Sequence, residues 1–514
     1  MEVDILKYYL AQRSEMKPAE LTLVTGLVIS VSALCWSAFG TSVGAALVLS
    51  AFLISCVQGE LHKPVNTLLF WGLVGGFMWG IIGLIWTENL PEGLAMLQIK
   101  LPLLIFPLAL LTMKWDSNKW GKVILKFFII SSFMAAFAGL LWGYYHAFNG
   151  GELHPKIWSP FISHIRMGMI LSVGWGLLLL NKKYRYSIIY GIFAFLSIWH
   201  TASVTGVLML AITCVFFLIS IFHTEYKRRS IIIACITSFV GLVAFVFYLT
   251  PSTTCSSKTL PSHTPWGNIY EHNPDKHLEE NGYKVWNFLA VNEMRPEWNL
   301  RSKMPFDSLD RNGHTLSTTA IRYLTSKNLP KNGLTIRNLS EKSVRNIEAG
   351  HTTIRMETQS GLSLRMDVLK FEIGNYLDGG NPSGNSVTQR FEFMNTGVYI
   401  LKSKGLSTMF FGVGTGDLPD AYKEAYLASN SILEKDYWKS GHNQYLAWWV
   451  GLGLVGLVLW LITLYAGFAL SGSVSRLSWL ILVISCLAED TLETQAGVTF
   501  AVLILTVFIP NQKN

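Results

Sequence analysis

The chain has 514 residues, of which 51% are hydrophobic and only 14% are charged. Soluble domains carry about 25% charged residues, so the composition excludes an ordinary soluble protein and indicates a membrane protein. The formal net charge of +8 comes from scattered basic residues that form no long stripe. No nucleic-acid partner is therefore expected, and the charge suits a protein with basic cytoplasmic loops among membrane lipids.

Long apolar runs define the predicted architecture. A helix needs about 20 apolar residues to cross the hydrocarbon core of a bilayer, and about twelve segments qualify. The first run begins near Leu21, after a polar stretch, so we expect no cleavable signal peptide and a first span that stays in the protein. The predicted spans are roughly 21–37, 41–57, 66–86, 96–113, 121–145, 163–181, 186–200, 202–222, 230–250, 442–468, 474–488 and 494–510.

Basic residues in the short loops predict the orientation. Lys and Arg concentrate in the cytoplasmic loops of membrane proteins, and one set of alternate short loops holds nearly all of them here. That set contains Lys114, Lys119, Lys122, Lys182, Lys183, Arg185, Lys227, Arg228 and Arg229. The opposite short loops offer little beyond Lys156. Both termini are therefore expected in the cytoplasm, and the large polar segment 251–441 is expected outside.

The predicted fold is an all-α polytopic membrane protein with one large exported domain. Residues 1–250 would form an N-terminal membrane bundle of about nine spans. Residues 251–441 would form an α-rich or mixed periplasmic domain between spans nine and ten, and residues 442–514 would add about three spans. Five of the six cysteines lie in apolar segments and no CxxC pair occurs, so neither a disulfide in the exported domain nor a zinc site is expected.

Two stretches near the end of the exported segment have informative patterns. In VTQRFEFMNTGVYILKSKG (387–405), apolar residues such as Phe391 and Val398 recur at near-helical spacing, which predicts an amphipathic helix lying near the membrane. The glycine-rich GVGTGD (412–417) lacks the Lys-Ser/Thr that closes a P-loop. We therefore interpret it as a turn before a helix rather than as a phosphate-binding loop.

The absence of common catalytic motifs narrows the chemistry. The sequence has no P-loop, no HExxH, no GxSxG and no dinucleotide-binding fingerprint. Because nucleoside triphosphates are absent outside the cytoplasm, an outward-facing enzyme must receive an activated substrate through the membrane, and a lipid-linked diphosphate fits this need. Such a reaction requires cations that hold the diphosphate leaving group and a base that deprotonates an acceptor hydroxyl.

Four residues near predicted span ends suit these roles. Arg166 begins an apolar helix in SHIRMG, Arg390 lies in QRFEF, His442 lies in GHNQYL, and Lys100 lies in LQIKLP. Arginine matches phosphate oxygens and stays charged, and histidine titrates near neutral pH. Each residue has a structural alternative, because a cation can snorkel to the headgroups or be solvated, and His442 could cap its helix.

Two groups close to these candidates have plain structural interpretations. Glu489, Asp490 and Glu493, on the loop between the last two spans, are expected to form only a polar connection. The aromatic residues around His442 are expected to form an ordinary interfacial belt, with stacking on sugar rings as the alternative. They are Tyr437, Trp438, Tyr445 and Trp448.

The order of these motifs resembles the O-antigen ligase and O-antigen polymerase superfamily of bacterial envelope glycosyltransferases. The matching features are RFEF with Arg390, then FFGVGTGD (410–417), then GHNQYL followed by a glycine-rich span, with 52 positions between Arg390 and His442. EDTLETQAG (489–497) looks like the family's penultimate loop. The stretch from 268 to 333 is similar to the elongated loop of such proteins from Bacteroidetes.

The resemblance implies a multi-pass enzyme of the bacterial inner membrane that needs no nucleotide, metal or other cofactor. It would move a glycan from undecaprenyl diphosphate to an acceptor hydroxyl, which in the ligase case belongs to lipid A-core. His442 would be the base and Arg390 would hold the diphosphate, with Lys100 assisting. A second family arginine follows a serine at the start of a later span, where this chain has Val204 in TASVTG. Arg166 is expected to supply that charge.

Other functions remain open at this point. An O-antigen polymerase would use a growing glycan as donor and one repeat unit as acceptor, and an O-oligosaccharyltransferase would use a protein acceptor. A transporter of lipid-linked sugar would predict charged residues deep in the spans and repeat symmetry between halves, and the sequence gives no evident sign of either.

Overall fold

The structure is a computed structural model. It describes residues 16–149, 155–222, 261–357, 362–470 and 472–507. Its contacts divide the chain into two compact units. Met1–Cys235 and Arg390–Asn514 form the first, which we name the apolar unit, and Ile236–Gln389 form the second, which we name the polar unit.

The N-terminal part of the apolar unit consists of helices built mostly on apolar runs. They are α1 (Pro18–Ala33), α2 (Ala38–Val57), α3 (Thr67–Ile82), α4 (Leu90–Lys100), α5 (Pro102–Thr112), α6 (Ser117–Phe148), α7 (Pro155–Trp158), α8 (His164–Leu180), α9 (Tyr184–His200) and α10 (Val204–Phe222). Glycines allow close crossings: a Cβ at Gly168 of α8 would lie 2.9 Å from the Cα of Gly206 in α10. Small residues at such crossings are typical of helices packed in membranes.

The polar unit is mainly helical in its described residues and has its own core. A two-stranded antiparallel sheet precedes its helices. The elements are β1 (Glu279–Glu280), β2 (Tyr283–Lys284), α11 (Val291–Arg301), α12 (Leu316–Ser326), α13 (Gly333–Arg337), α14 (Glu341–Glu348) and α15 (Leu362–Leu377). Trp298, Phe306 and Tyr323 are fully buried in this core. Inside it, Arg322 pairs with Glu280 at 2.5 Å, which compensates the burial of both charges.

The chain then returns to the apolar unit. Its last helices are α16 (Thr388–Ser403), α17 (Leu406–Phe411), α18 (Leu418–Ala428), α19 (Gln444–Leu470), α20 (Ser473–Ala488) and α21 (Gln495–Thr506). The helix predicted over 387–405 is observed as α16. Phe393 and Ile400 form its buried face, whereas Phe391 and Val398 are exposed. The spacing predicted the helix, but it did not identify which of the apolar residues around the helix are buried.

Among the residues that the structure describes, five helical stretches are long and apolar enough to cross a membrane. They are Ala38–Val57, Thr67–Trp86, Leu90–Thr112, Ser117–Phe148 and Gln444–Leu470. The predicted helical membrane protein is confirmed in this coarser form. The predicted spans fall on helices wherever the structure describes them, and several of these are shorter apolar helices. The span predicted over 230–250 lies outside the described residues.

Helix α19 is broken at Gly453, whose φ of +70° lies in the left-handed region. The glycine-rich loop 412–417 fills the break, because the amides of Val413 and Gly414 donate to carbonyls in the first half of α19 at 2.9 and 3.1 Å. A Cβ at Gly453 would lie 2.2 Å from the carbonyl oxygen of Phe410, so only glycine fits there. The loop precedes helix α18, as predicted, and it also satisfies the broken helix.

Candidate functional site

The carboxylate of Glu489 is the centre of the candidate site. It lies just after α20, with 13% of its side chain exposed, and it accepts a hydrogen bond from the guanidinium of Arg390. Its second oxygen lies 3.3 Å from Nδ1 of His442, and the same nitrogen lies 3.8 Å from an oxygen of Asp490. Two predicted site residues, Arg390 and His442, therefore meet on one acidic group that is 99 and 47 positions away in the sequence.

His442 is held in a constrained position at the start of α19. Its φ of +42° lies in the left-handed region, which is uncommon for a residue other than glycine and is found more often at functional sites. The next residue, Asn443, accepts a hydrogen bond from the amide of Leu446 and donates one to the carbonyl of Leu487, both at 3.1 Å. The ring of Phe393 stacks on the imidazole at 5.3 Å. Among the described residues none hydrogen-bonds Nε2, so that nitrogen is available to a substrate.

The pKa values of the two neighbouring carboxyl groups, Glu489 and Asp490, are shifted in opposite directions. Burial alone would raise the pKa of Glu489, but the hydrogen bond from His442 and the charges of Arg390, His442 and Arg166 outweigh it, and the pKa lies below its usual value. Burial raises the pKa of Asp490, and the nearby carboxylates add to the rise while His442 opposes it. Glu489 is therefore the ionised partner of the basic groups, and Asp490 takes up a proton more readily.

Arg166 and Glu489 line the same small cavity. The cavity, together with the solvent that opens onto it, has a volume of about 320 Å³, and its lining includes Arg166, Ser163, Thr205 and Glu489. Within the described part of the chain, no carboxylate lies within ion-pair distance of Arg166, although its charge acts on Glu489. Thr205 follows Val204, the position where the resemblance leads us to expect an arginine. Arg166 thus lies beside the place where that charge would be needed.

Lys100 occupies a different part of the apolar unit. It lies within the apolar stretch Leu90–Thr112 and is 8% exposed, so it does not snorkel into solvent. Its Nζ lies 2.9 Å from Glu493, which also accepts a hydrogen bond at 3.0 Å from Gln444. Lys100 and Glu493 line a second cavity, which together with the solvent that opens onto it has a volume of about 470 Å³. The two cavities share none of their described lining residues. Three predicted residues therefore lie around Glu489, and Lys100 instead pairs with Glu493 beside a separate cavity.

The expectation that the last loop is only a polar connection does not match its contacts. Glu489 contacts Arg390 and His442. Glu493 pairs with Lys100, and Lys100 is a buried charge inside an apolar stretch. The sequence signal was present: ionisable residues beside apolar spans must find partners, and such residues are often functional. The partners themselves were not evident, because they lie on distant helices.

The same cluster has the geometry of a cation site. Ligand atoms of His442, Glu489 and Asp490 lie within 4.8 Å of one another, and these side chains are ligands that divalent metals accept. Arg390, however, already donates to Glu489, and the positive charge of Arg166 acts on the same carboxylate. A metal ion would compete with two guanidinium groups, so the arrangement favours an anionic ligand over a cation.

Comparisons with known proteins give no match from which the role of the site could be inferred. No protein-family model matches the chain, and no curated protein matches it. The inference of function therefore rests on the grouping of Arg166, Arg390, His442 and Glu489, and on the resemblance of short motifs in the sequence.

Proposed function

We propose that this chain is an O-antigen-ligase-like glycan transferase of the bacterial inner membrane, with its site at the periplasmic face. It transfers a glycan from undecaprenyl diphosphate to the hydroxyl of an acceptor, which for a ligase is lipid A-core. The reaction uses a lipid diphosphate as leaving group, so it needs neither a nucleotide nor a metal cofactor.

The observation that carries the proposal is the grouping of basic groups around Glu489. Arg390 donates to this carboxylate, His442 contacts it, and Arg166 lies across the same cavity. Two guanidinium groups lie beside the ionised Glu489, and the raised pKa of Asp490 weakens the second negative charge, so the group favours binding of a diphosphate. Arginine suits this role because its planar fork binds two phosphate oxygens at once.

His442 is placed to activate the acceptor. Its Nε2 takes the proton of the acceptor hydroxyl while Glu489, at Nδ1, stabilises the imidazolium that forms. The hydroxyl oxygen forms a bond to the anomeric carbon of the glycan as the bond from that carbon to the diphosphate oxygen breaks. The bonding electrons leave with undecaprenyl diphosphate, and Arg390 and Arg166 bind its negative charge.

The charge pattern of the loops supports a periplasmic site. Helix α8 begins near Arg166 and ends before Lys182 and Lys183, so these basic residues lie at the opposite end of the helix from the site. Basic loops favour the cytoplasmic side. That preference supports an outer position for Arg166 and for the groups that contact Glu489.

Glycan analysis of a deletion strain tests the proposal. The strain is rescued with the wild-type chain or with His442→Ala, Arg390→Ala or Arg166→Ala, and protein levels are compared by immunoblot. We expect each variant to abolish or strongly reduce the glycan product. Lys402→Ala, at an exposed position on the same helix as Arg390, is the matched control and should restore it. Full activity of His442→Ala would refute the mechanism.

The same experiment separates the alternatives. Loss of long glycan from the lipid anchor, with lipid-linked polymer still made, indicates a ligase. Survival of single repeat units on the anchor indicates a polymerase, and loss of glycan from proteins alone indicates an O-oligosaccharyltransferase. A transporter draws support from Lys100, which lies inside an apolar stretch, but Glu493 neutralises that charge. Donor retained on the cytoplasmic side would indicate transport.

A further inference from the structure

The cavity beside Lys100 differs in character from the cavity beside Arg166. Its lining includes Lys100, Glu493, Trp448, Thr415 and Ser440. The ammonium and the carboxylate are 2.9 Å apart, with 11% and 13% of their side chains exposed, so the cavity carries no net charge from this pair. It combines a cation, a carboxylate, hydroxyl groups and an aromatic ring in one place.

Trp448 leaves one polar atom unused. The residue is 2% exposed, and its indole nitrogen is buried with no hydrogen-bond partner among the described residues. The opposite, benzo edge of the indole faces Gly76, where an added Cβ would lie 3.3 Å away. Nζ of Lys100 lies 5.9 Å from the ring centroid. A buried N–H without an acceptor is unfavourable, and a ligand oxygen in the cavity would satisfy it.

Charge decides which ligand class fits. Glu493 would repel a phosphate or carboxylate, and Lys100 would repel a cation. A neutral polyhydroxylated ligand can accept from Lys100 and from the indole, and it can donate to Glu493. Ligand sites commonly combine an apolar or aromatic wall with a few well-placed polar groups, and a sugar ring matches both parts.

The cavity also lies next to the chain segment that carries the proposed base, His442. Ser440 precedes His442 by two positions and lines the cavity. Gln444 follows His442 by two positions, donates to Glu493 at 3.0 Å and accepts from the amide of Leu492 at 2.5 Å. The segment that carries His442 therefore lines the cavity through Ser440 before it and contacts the cavity residue Glu493 through Gln444 after it.

From this arrangement we infer that the Lys100–Glu493 cavity binds a neutral sugar unit of the acceptor. The inference rests on the proposed function and assigns Lys100 to the acceptor rather than to the diphosphate. Donor and acceptor thus occupy separate subsites, with the anion beside Arg166 and Arg390 and the neutral sugar beside Trp448. His442 reaches the acceptor hydroxyl from the segment that lines the second subsite.

Kinetics of the purified full-length chain in lipid nanodiscs test this assignment. The probes are undecaprenyl diphosphate for binding, and donor glycolipid with purified lipid A-core for transfer. Trp448→Phe removes the indole N–H and keeps an aromatic ring. Lys100→Gln/Glu493→Gln replaces the ion pair by two amides. We expect each to raise the KM for the acceptor about tenfold, the size of one lost hydrogen bond, and to leave undecaprenyl diphosphate binding within twofold of wild type.

Three outcomes distinguish the possible failures. Loss of undecaprenyl diphosphate binding in the Lys100/Glu493 double variant, as large as in Arg390→Ala, would overturn the assignment and return Lys100 to the diphosphate. An unchanged acceptor KM in both variants would also overturn it. Ser440→Leu narrows the cavity at a half-buried position and provides a second test if Trp448→Phe does not fold. Absence of transfer by the wild-type chain would refute the proposed function itself.

Discussion

Nδ1 of His442 lies 3.3 Å from a carboxylate oxygen of Glu489. In the proposed mechanism, this contact orients the imidazole and provides a counter-charge for the imidazolium that forms when the acceptor is deprotonated. We expect Glu489→Gln to lower the rate of glycan transfer at least tenfold, since a positioned base contributes about 10²- to 10⁴-fold, and Glu489→Asp to restore part of it. Initial rates of transfer measure the effect. Glu424→Gln removes an exposed carboxylate and serves as control. An unchanged rate in Glu489→Gln would exclude a role for this contact.

The position of Arg166 predicts that an arginine placed at a neighbouring position of the same cavity can replace it. Thr205 lines the same cavity as Arg166, so an arginine at the preceding position, Val204, lies near the charge that Arg166→Ala removes. On the proposed function, Arg166→Ala weakens undecaprenyl diphosphate binding, and we expect Arg166→Ala/Val204→Arg to recover it. Leu208→Arg in the same background places the charge at an exposed position one helical turn later and should give no recovery. Equal recovery by both would argue for a general charge effect.

The break in α19 predicts a specific glycine requirement. In Gly453→Ala the new Cβ would lie 2.2 Å from the Phe410 carbonyl, on a backbone with φ of +70°. We expect the free energy of unfolding to fall by about 2 kcal/mol or more, measured as a lower thermal midpoint in detergent. Gly75→Ala is the matched control, because its Cβ would meet Leu459 at an ordinary 3.5 Å. Equal midpoints for the two variants would contradict the close approach.

Glu357 predicts an acid-sensitive region in the polar unit. Hydrogen bonds from Lys342 and Tyr323, together with the Lys342 charge, lower the pKa of Glu357 to about 2, against the opposing effect of burial. A depressed carboxyl pKa stabilises the folded state above the unfolded value of about 4.3, and this stabilisation is lost as the pH falls toward 2. Glu357→Gln should therefore flatten the pH dependence between these values.

Hydrogen exchange of residues 316–357, followed from pH 5 down to pH 2.5, measures this effect. Glu341→Gln, at a carboxylate whose side chain is 71% exposed, should keep the wild-type pH dependence. If Glu357→Gln and the wild-type chain lose protection in parallel as the pH falls, the hydrogen bonds to Glu357 do not contribute to acid sensitivity.

Much of the helical structure follows from local sequence. Apolar runs predict the helices of the apolar unit because a chain in hydrocarbon must satisfy its backbone internally. The helix at 387–405 also follows from spacing, and the turn at 412–417 follows from its glycines. The pairing of that turn with Gly453 does not, since it joins segments about 40 positions apart through backbone hydrogen bonds that leave no side-chain pattern.

For the candidate site, too, some residues could be predicted from the sequence and others could not. Residue chemistry and motif order selected Arg166, Arg390 and His442. The structure brings Arg390 and His442 to one carboxylate, and Arg166 lines the same cavity as that carboxylate. The importance of Glu489 was missed, because a carboxylate beside a span is ordinary until its partners are known. The placement of Lys100 with Glu493 depends on helix packing, which spacing along the chain does not determine.

The break at Gly453 has a mechanical consequence for this membrane protein. The part of α19 before Gly453 accepts backbone hydrogen bonds from the loop 412–417. Its own hydrogen-bond ladder does not run continuously into the part after Gly453. Tilting of the part of α19 after Gly453 in a thicker or thinner bilayer is therefore poorly transmitted to the part before Gly453. We expect the geometry of the candidate site around His442 to be insulated from bilayer thickness, so that it is kept in membranes of changing lipid composition.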